Sequence, residues 1–222
     1  MKHSMAWIAA ASLLACAGAH AQTAGTWTVQ AGATRIDPQV SSGNLSAPSF
    51  PNTTVDVGSS TRISGAVGYM LTDHLAVVVP LAPPFKHDIV GDGAIRGVGK
   101  IGETKVLPIT AYAQYRFLEP TARLRPYAAL GLTYSNFFKE RGTASLNGLT
   151  GGTPSNPTTL SIKDKFGLSV LLGASYMLNE KWFVDASYHK TFVKTTTTLS
   201  TGQQISTKLN PNTISIGVGM KF

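Results

Sequence analysis

The sequence predicts an all-β protein: an eight-stranded antiparallel up-and-down transmembrane β-barrel. Three observations carry that expectation. The chain ends in a strictly alternating segment, Ile214 to Phe222, and stops on an aromatic residue. It begins with an export signal. Between the two, short and long connections alternate without exception. Outer-membrane barrels put an apolar strand face on lipid and a polar face on the lumen, and they join strands by short periplasmic turns and long outer loops. Closing the sheet leaves no unpaired edge in the hydrocarbon.

The front end comes first. Met1-Lys2-His3 is a short positive region, Met5 to Ala17 is apolar, and Ala19-His20-Ala21 is a small-x-small cleavage site before Gln22. Residues 1–21 therefore read as a cleaved signal peptide and 22–222 as the barrel. Leu13-Leu14-Ala15-Cys16 resembles a lipoprotein cleavage box, but the Ala-His-Ala site is the cleaner one. Cys16 is the only cysteine, so the mature chain has no disulfide, thiolate nucleophile or cysteine metal site. The formal charge is +8, and losing Lys2 leaves +7. The Lys and Arg are scattered among turn-like segments without a nucleic-acid motif, so nucleic acid is excluded as a partner. An anionic membrane surface, rich in lipopolysaccharide phosphates, is the expected one. After the signal, no run of about twenty apolar residues offers a transmembrane helix.

Read with period two, the mature chain yields eight strands in order. They run over 27–35, 62–71, 75–81, 104–117, 126–138, 165–178, 182–192 and 214–222. Three connections are tight: 72–74, 119–124 and 179–181. Four are long: 37–61, 82–103, 139–162 and 193–210. Tyr69, Phe117, Tyr176, Trp182 and Phe222 fall beside short turns or at the terminus and form the expected periplasmic aromatic belt. Phe137 and Phe138 suit an outer belt. The stretch from Leu146 to Leu160 is rich in Gly, Ser, Thr, Asn and Pro and is expected to bury little. The run Thr195-Thr196-Thr197-Thr198 is β-prone and can continue two strands above the membrane as a hairpin.

Eight strands enclose little space, so side chains fill much of the lumen. The inward set is mixed: Pro108, Thr110, Tyr112, Gln114 and Arg116 on the fourth strand, Ser169, Leu171, Gly173 and Ser175 on the sixth. The third strand is apolar on both faces. On the fifth, Leu130, Leu132 and Tyr134 look outward while Tyr127 prefers the other face. Asp185, Ser187 and His189 lie at alternate inward positions and invite comparison with a hydrolase triad. The order argues against it, because His must stand between Ser and the acid. Inward polar residues bonded across the lumen are the better reading, and no enzyme activity and no cofactor are expected. His87-Asp88 is a weak metal motif without a third ligand. Pro80, Pro83 and Pro84 cluster at the outer end of the third strand. Proline removes ladder donors, so the cluster either opens the wall or simply ends the strand.

Several segments together resemble the OmpW family. They are Gly68-Tyr69-Met70-Leu71-Thr72-Asp73-His74, Pro84-Phe85-Lys86-His87-Asp88-Ile89, Gly102 to Thr110 with Gln114-Tyr115-Arg116-Phe117, Arg125-Pro126-Tyr127, Lys181 to Tyr188 and the terminal strand. The resemblance implies a cell outer membrane location in a Gram-negative bacterium. It also implies a narrow, rather apolar channel for passive passage of small hydrophobic molecules, with release sideways into the outer leaflet. Val78, Pro80, Pro83, Pro84, Val106, Pro108 and Leu171 are the candidate channel residues. Phe222 is the candidate signal for the barrel-assembly machinery. The alternatives are a plugged structural or surface-interaction barrel meeting phage, host or lipopolysaccharide, and a lipid-modifying barrel enzyme.

Overall fold

The period-two pattern is realised strand by strand in the computed structural model, which describes residues 22–222. The proposed signal peptide at 1–21 and its Cys16 lie outside the described residues. The elements are β1 (Trp27–Asp37), β2 (Ser41–Ser42), β3 (Thr53–Val57), β4 (Ser60–Met70), β5 (Leu75–Leu81), β6 (Phe85–Gly93), β7 (Lys100–Arg116) and β8 (Leu124–Gly142). A short helix α1 (Ala144–Thr150) follows, then β9 (Leu160–Ile162), β10 (Lys165–Met177), β11 (Trp182–Phe192), β12 (Lys194–Leu199), β13 (Gln204–Lys208) and β14 (Asn212–Lys221). Eight of these close a barrel in the order β1-β4-β5-β7-β8-β10-β11-β14, and β14 returns to β1; every pairing is antiparallel.

The two faces separate as alternation demands. Leu168, Leu172, Leu130 and Ile216 stand exposed on the outer wall, while Ser169, Leu171, Tyr127 and Ala129 are buried inside. The mixed signal on the fifth strand is thereby resolved, since Tyr127 has the opposite parity to Leu130 and points inward. A lipid-facing wall is stable only because every strand finds partners on both sides. The seam is closed by the last residue: Phe222 N–H donates to the Trp27 carbonyl at 3.0 Å, and Trp27 N–H donates back at 2.9 Å. Gly32 and Gly217 face each other across this seam. A Cβ on Gly217 would sit 2.7 Å from the Ala31 carbonyl oxygen, so the backbones approach closely there.

Phe117, Tyr176, Trp182 and Phe222 are exposed at the periplasmic end, joined by Trp27, whose ring lies 4.8 Å from that of Tyr69. At the outer end Tyr134 and Phe166 pair at 4.8 Å. Phe137 does not join an outer belt. Its parity turns it inward, where it packs against the upper core.

The long connections are more ordered than their composition suggests. β6 continues the line of β5 along β7, and β3 pairs with β6. The Thr-rich segment forms the expected hairpin, β12 with β13, inside a separate four-stranded sheet ordered β2-β13-β12-β9. The expectation that 146–160 buries little is corrected. Leu146 on α1 and Leu160 on β9 are buried in an apolar cluster with Ile89, Ile95 and Ile101. A seven-residue helix is marginal alone. Packing of Leu146 and Leu149 against that cluster holds it, and Gly151 ends it in the left-handed region at φ 79°.

Candidate functional site

The barrel wall is interrupted where the prolines cluster. On one side β5 pairs with β7 only from Leu75 to Val78, and pairing with β7 resumes at Phe85 opposite Val106, one register step displaced. The Leu107–Ala111 stretch of β7 therefore has no ladder partner on that side. On the other side β4 pairs with β5 as far as Gly65 and Leu81, and the next contacts are Val57 with Ile89 and Gly58 N–H with the Asp88 carbonyl. Ala82-Pro83-Pro84 thus stands free of strand ladders on both flanks. Pro83 and Pro84 carry no N–H, and Pro108 across the break carries none either. The sequence left two outcomes open for this cluster. The structure combines them: β5 ends at Leu81, and the wall opens beside it.

Behind the break lies a chamber of about 200 Å³. Its upper part is apolar, built by Ile36, Phe85 and Val106 with Phe137 and, above them, by the cluster of Ile89, Ile101, Leu160, Ile162 and Leu199. Among the described residues no Asp, Glu, Lys or Arg lines it. Outside the chamber, above the lipid-facing band, Lys86 and Lys100 grip Glu103 at 2.8 and 2.6 Å and Lys100 also meets Asp88 at 2.7 Å. Hydrogen bonds from Lys100 and Lys86 pull the Glu103 carboxyl down to about 2. His87, next to Asp88 in sequence, turns the opposite way: it is buried, with Nδ1 2.6 Å from the Gly58 carbonyl. The two side chains diverge, and no group of three metal-ligating residues occurs among the described residues.

The chamber floor is polar. His189 Nδ1 lies 3.0 Å from the Tyr112 hydroxyl, and its Nε2 lies 2.9 Å from Ser187 Oγ. Asp185 belongs to a different network, accepting from the Tyr127 hydroxyl at 2.7 and 2.9 Å. The acid, serine and histidine are thus divided, and the histidine's second nitrogen meets a phenol instead of a carboxylate. This matches the expectation of inward polar residues bonded across the lumen.

Below the floor a smaller cavity of about 60 Å³ is lined by Gln114, Arg116, Tyr127 and Phe183. Arg116 donates to Gln22 Oε1 and to Ser175 Oγ, and its guanidinium stands 5.2 Å from the Tyr127 ring. Arg125, 1% exposed, donates to the Gln22 and Asp73 carbonyls. Arg62 takes no part in this network: it is exposed high on β4, opposite Thr34.

The candidate channel residues divide between these spaces. Val106 and Pro108 line the upper chamber, and Pro80 borders both spaces. Val78 and Leu171 line the lower cavity and pack with Tyr112. Pro83 and Pro84 line neither and form the wall break itself. The upper cluster on β6, β9 and α1 escaped sequence reasoning. Its signal was present in part, because Phe85, His87 and Ile89 alternate with Lys86, Asp88 and Val90.

An upper apolar chamber, a polar floor and a broken wall in an eight-stranded barrel can be compared with known proteins. The family model described as "OmpW family" matches residues 23–222. The chain belongs to the OmpW family. It is 35% identical to Outer membrane protein W of Vibrio cholerae serotype O1, over the whole of both chains. It is 29% identical to Outer membrane protein W of Escherichia coli K12, covering 100% of this chain and 99% of that one. The crystal structure of outer membrane protein OprG from Pseudomonas aeruginosa superposes with a TM-score of 0.81 at 26% identity, covering 91% of this chain and 98% of that one. This OmpW-family protein is therefore a Gram-negative outer-membrane barrel in contact with the bilayer.

Proposed function

We propose that this protein is a passive channel for small hydrophobic molecules. A solute enters the upper chamber from outside and leaves through the wall break into the outer leaflet. The observation that carries this reading is the chamber itself. A cavity of about 200 Å³, free of carboxylates and of Lys or Arg, meets an interval in which the ladders stop on both flanks of Ala82-Pro83-Pro84. Apolar surface moved from water into such a space gains about 25 cal/mol per Å². From there, passage into lipid costs no second exposure to water. Straight passage would drag the solute past the buried charges of Arg116 and Asp185. The filled lower lumen also favours a second reading, a plugged surface-interaction barrel that meets lipopolysaccharide or another cell and transports nothing. Assembly in either case is ascribed to the barrel-assembly machinery acting on the strand that ends at Phe222.

The test is uptake of a small labelled apolar compound by cells carrying the full chain. Pro83→Val with Pro84→Val restores N–H donors and lets the ladder knit, so uptake should fall several-fold. Ala66→Leu fills the lower cavity, which Ala66 lines, and should leave uptake intact. A bulky residue at Gly217 is unsuitable for this, because it collides with the β1–β14 seam. Uptake lost in Ala66→Leu and kept in the proline variant would reverse the route. Uptake no higher than in cells without the protein would leave the plugged barrel.

A further inference from the structure

We infer that the chamber selects neutral amphiphiles with one compact polar group, such as alkanols, ketones or phenols, over hydrocarbons and fatty-acid anions. The inference rests on the channel reading above. At the level of the wall break the lumen is girdled by hydroxyl groups in two arcs. In one, Ser64 and Ser215 each lie 2.7 Å from Thr34. In the other, Thr110, Thr133, Ser169 and Thr191 follow one another at 2.8, 2.7 and 2.8 Å. The ends of the belt, Ser64 on β4 and Thr110 on β7, are the two lips of the break, with Pro80 and Leu81 of β5 and the following Ala82 between them.

Hydrogen counting shows what the belt can do. Four hydroxyls joined by three bonds use three of their four hydrogens, and three hydroxyls joined by two bonds use two of three. The three-membered arc therefore keeps one donor for a guest; in the longer arc the fourth hydrogen is shared with the Tyr112 hydroxyl, which Ser169 also bonds, and the oxygens of both arcs keep acceptor capacity. Above the belt the lining is mainly apolar, and of the polar side chains there Thr53, His87, Thr104, Thr150 and Thr195 are already bonded to backbone carbonyls, so a guest that fills the chamber is best served with its polar atom at the lower end. That atom must be neutral. Among the described residues no Asp, Glu, Lys or Arg lines the chamber. Both histidines there are already partnered, His87 by the Gly58 carbonyl and His189 by Tyr112 and Ser187. A carboxylate brought in would be desolvated without a counter-charge. A hydrocarbon is tolerated but forgoes the hydrogen bond, and one hydrogen bond is worth about fivefold in affinity.

The experiment measures protein-dependent initial uptake of labelled 1-octanol, n-octane and octanoate at neutral pH, by cells with and without the full chain in the outer membrane. Uptake of 1-octanol should exceed that of n-octane by about fivefold, and octanoate should match cells without the protein. Thr110→Val, Thr133→Val, Ser169→Ala and Thr191→Val together remove one whole arc and leave no orphaned hydroxyl. The variant should take up octane as the wild type does and show a smaller preference for octanol, because only the Ser64–Thr34–Ser215 arc remains. Equal uptake of octanol and octane by the wild type, uptake of octanoate matching octanol, or a preference unchanged by the loss of the arc would each overturn the inference. If the four-site variant does not assemble, the wild-type solute series decides, with Thr191→Val alone expected to lower the octanol preference. Protein-dependent uptake of none of the three would overturn the channel reading as well, which separates that failure from the failure of selectivity alone.

Discussion

Asp185 shows how a single residue in this lumen is settled by its neighbours. Its carboxylate is buried, and a buried acceptor without partners costs about 1–3 kcal/mol. Tyr127 meets that demand from β8, and the Arg116 guanidinium stands over the Tyr127 ring. The sequence told that Asp185 faces inward, because parity is local. It did not tell which residue would meet it, because Tyr127 is 58 residues away. At the other extreme of burial, Phe222 does two separable things. Its backbone closes the β1–β14 seam, and its exposed ring sits at the periplasmic edge. Phe222→Ala keeps the backbone pair and loses the ring; deletion of Phe222 loses both. If the ring is the assembly signal, both variants lower the heat-modifiable folded fraction in the membrane to a similar extent. If seam closure alone matters, Phe222→Ala assembles as wild type and only the deletion fails.

Element by element, the eight membrane strands were legible because lipid on one side and lumen on the other impose period two. Observed ends differ from the expected ones by a few residues, mostly where strands run on above the membrane, as β7 and β8 do. The outer elements were hidden for a physical reason. Outside the bilayer no strand face must be apolar, so β12 and β13 show threonine where a membrane strand shows leucine. The helix α1 was invisible because seven residues with Gly148 inside carry no period, and its order comes from Leu146 packing on β6 and β7 residues. Depth in the bilayer is likewise set by partners on β10. Val170 pairs with Lys190, whose Nζ bonds the Asn210 carbonyl and Asn212 Oδ1, and so lies toward the outer edge. The lipid-facing positions run from Phe166 to Tyr176, and Leu172 sits near their middle, 62% exposed. Leu172→Arg should therefore destabilise by about 2–4 kcal/mol in a refolding titration, and Leu168→Arg by about 1 kcal/mol or less. Equal costs would show that the bilayer is centred elsewhere on the barrel. Arginine at neighbouring Ser169 would crowd the lumen instead, since Ser169 is buried between Thr133 and Thr191.

At the scale of the whole molecule, the lumen is two spaces in series with different chemistry. The upper space is mainly apolar and borders the interruption of the strand ladders. The lower is occupied by Arg116 and Arg125, both bonded to Gln22, by Tyr127, bonded to Asp185, and by the buried Phe183. Water and ions need a continuous polar path, whereas an apolar solute needs only the chamber and the gap. The two kinds of traffic should therefore respond to different substitutions. The wild-type protein in a planar bilayer should show little ion conductance. Arg116→Ala with Phe183→Ala removes two of the largest groups in the lower lumen, so discrete channel openings should appear or grow. Uptake of a small apolar compound by the same variant should stay close to wild type. The folded fraction, read by heat modifiability, separates a loosened plug from a barrel that failed to assemble. If conductance and apolar uptake rise together in assembled protein, both run along one axial pore, and the division of the lumen does not govern transport. If conductance rises alone, the wall break remains the route for apolar solutes, and the lower lumen acts as a seal that keeps the barrel from leaking.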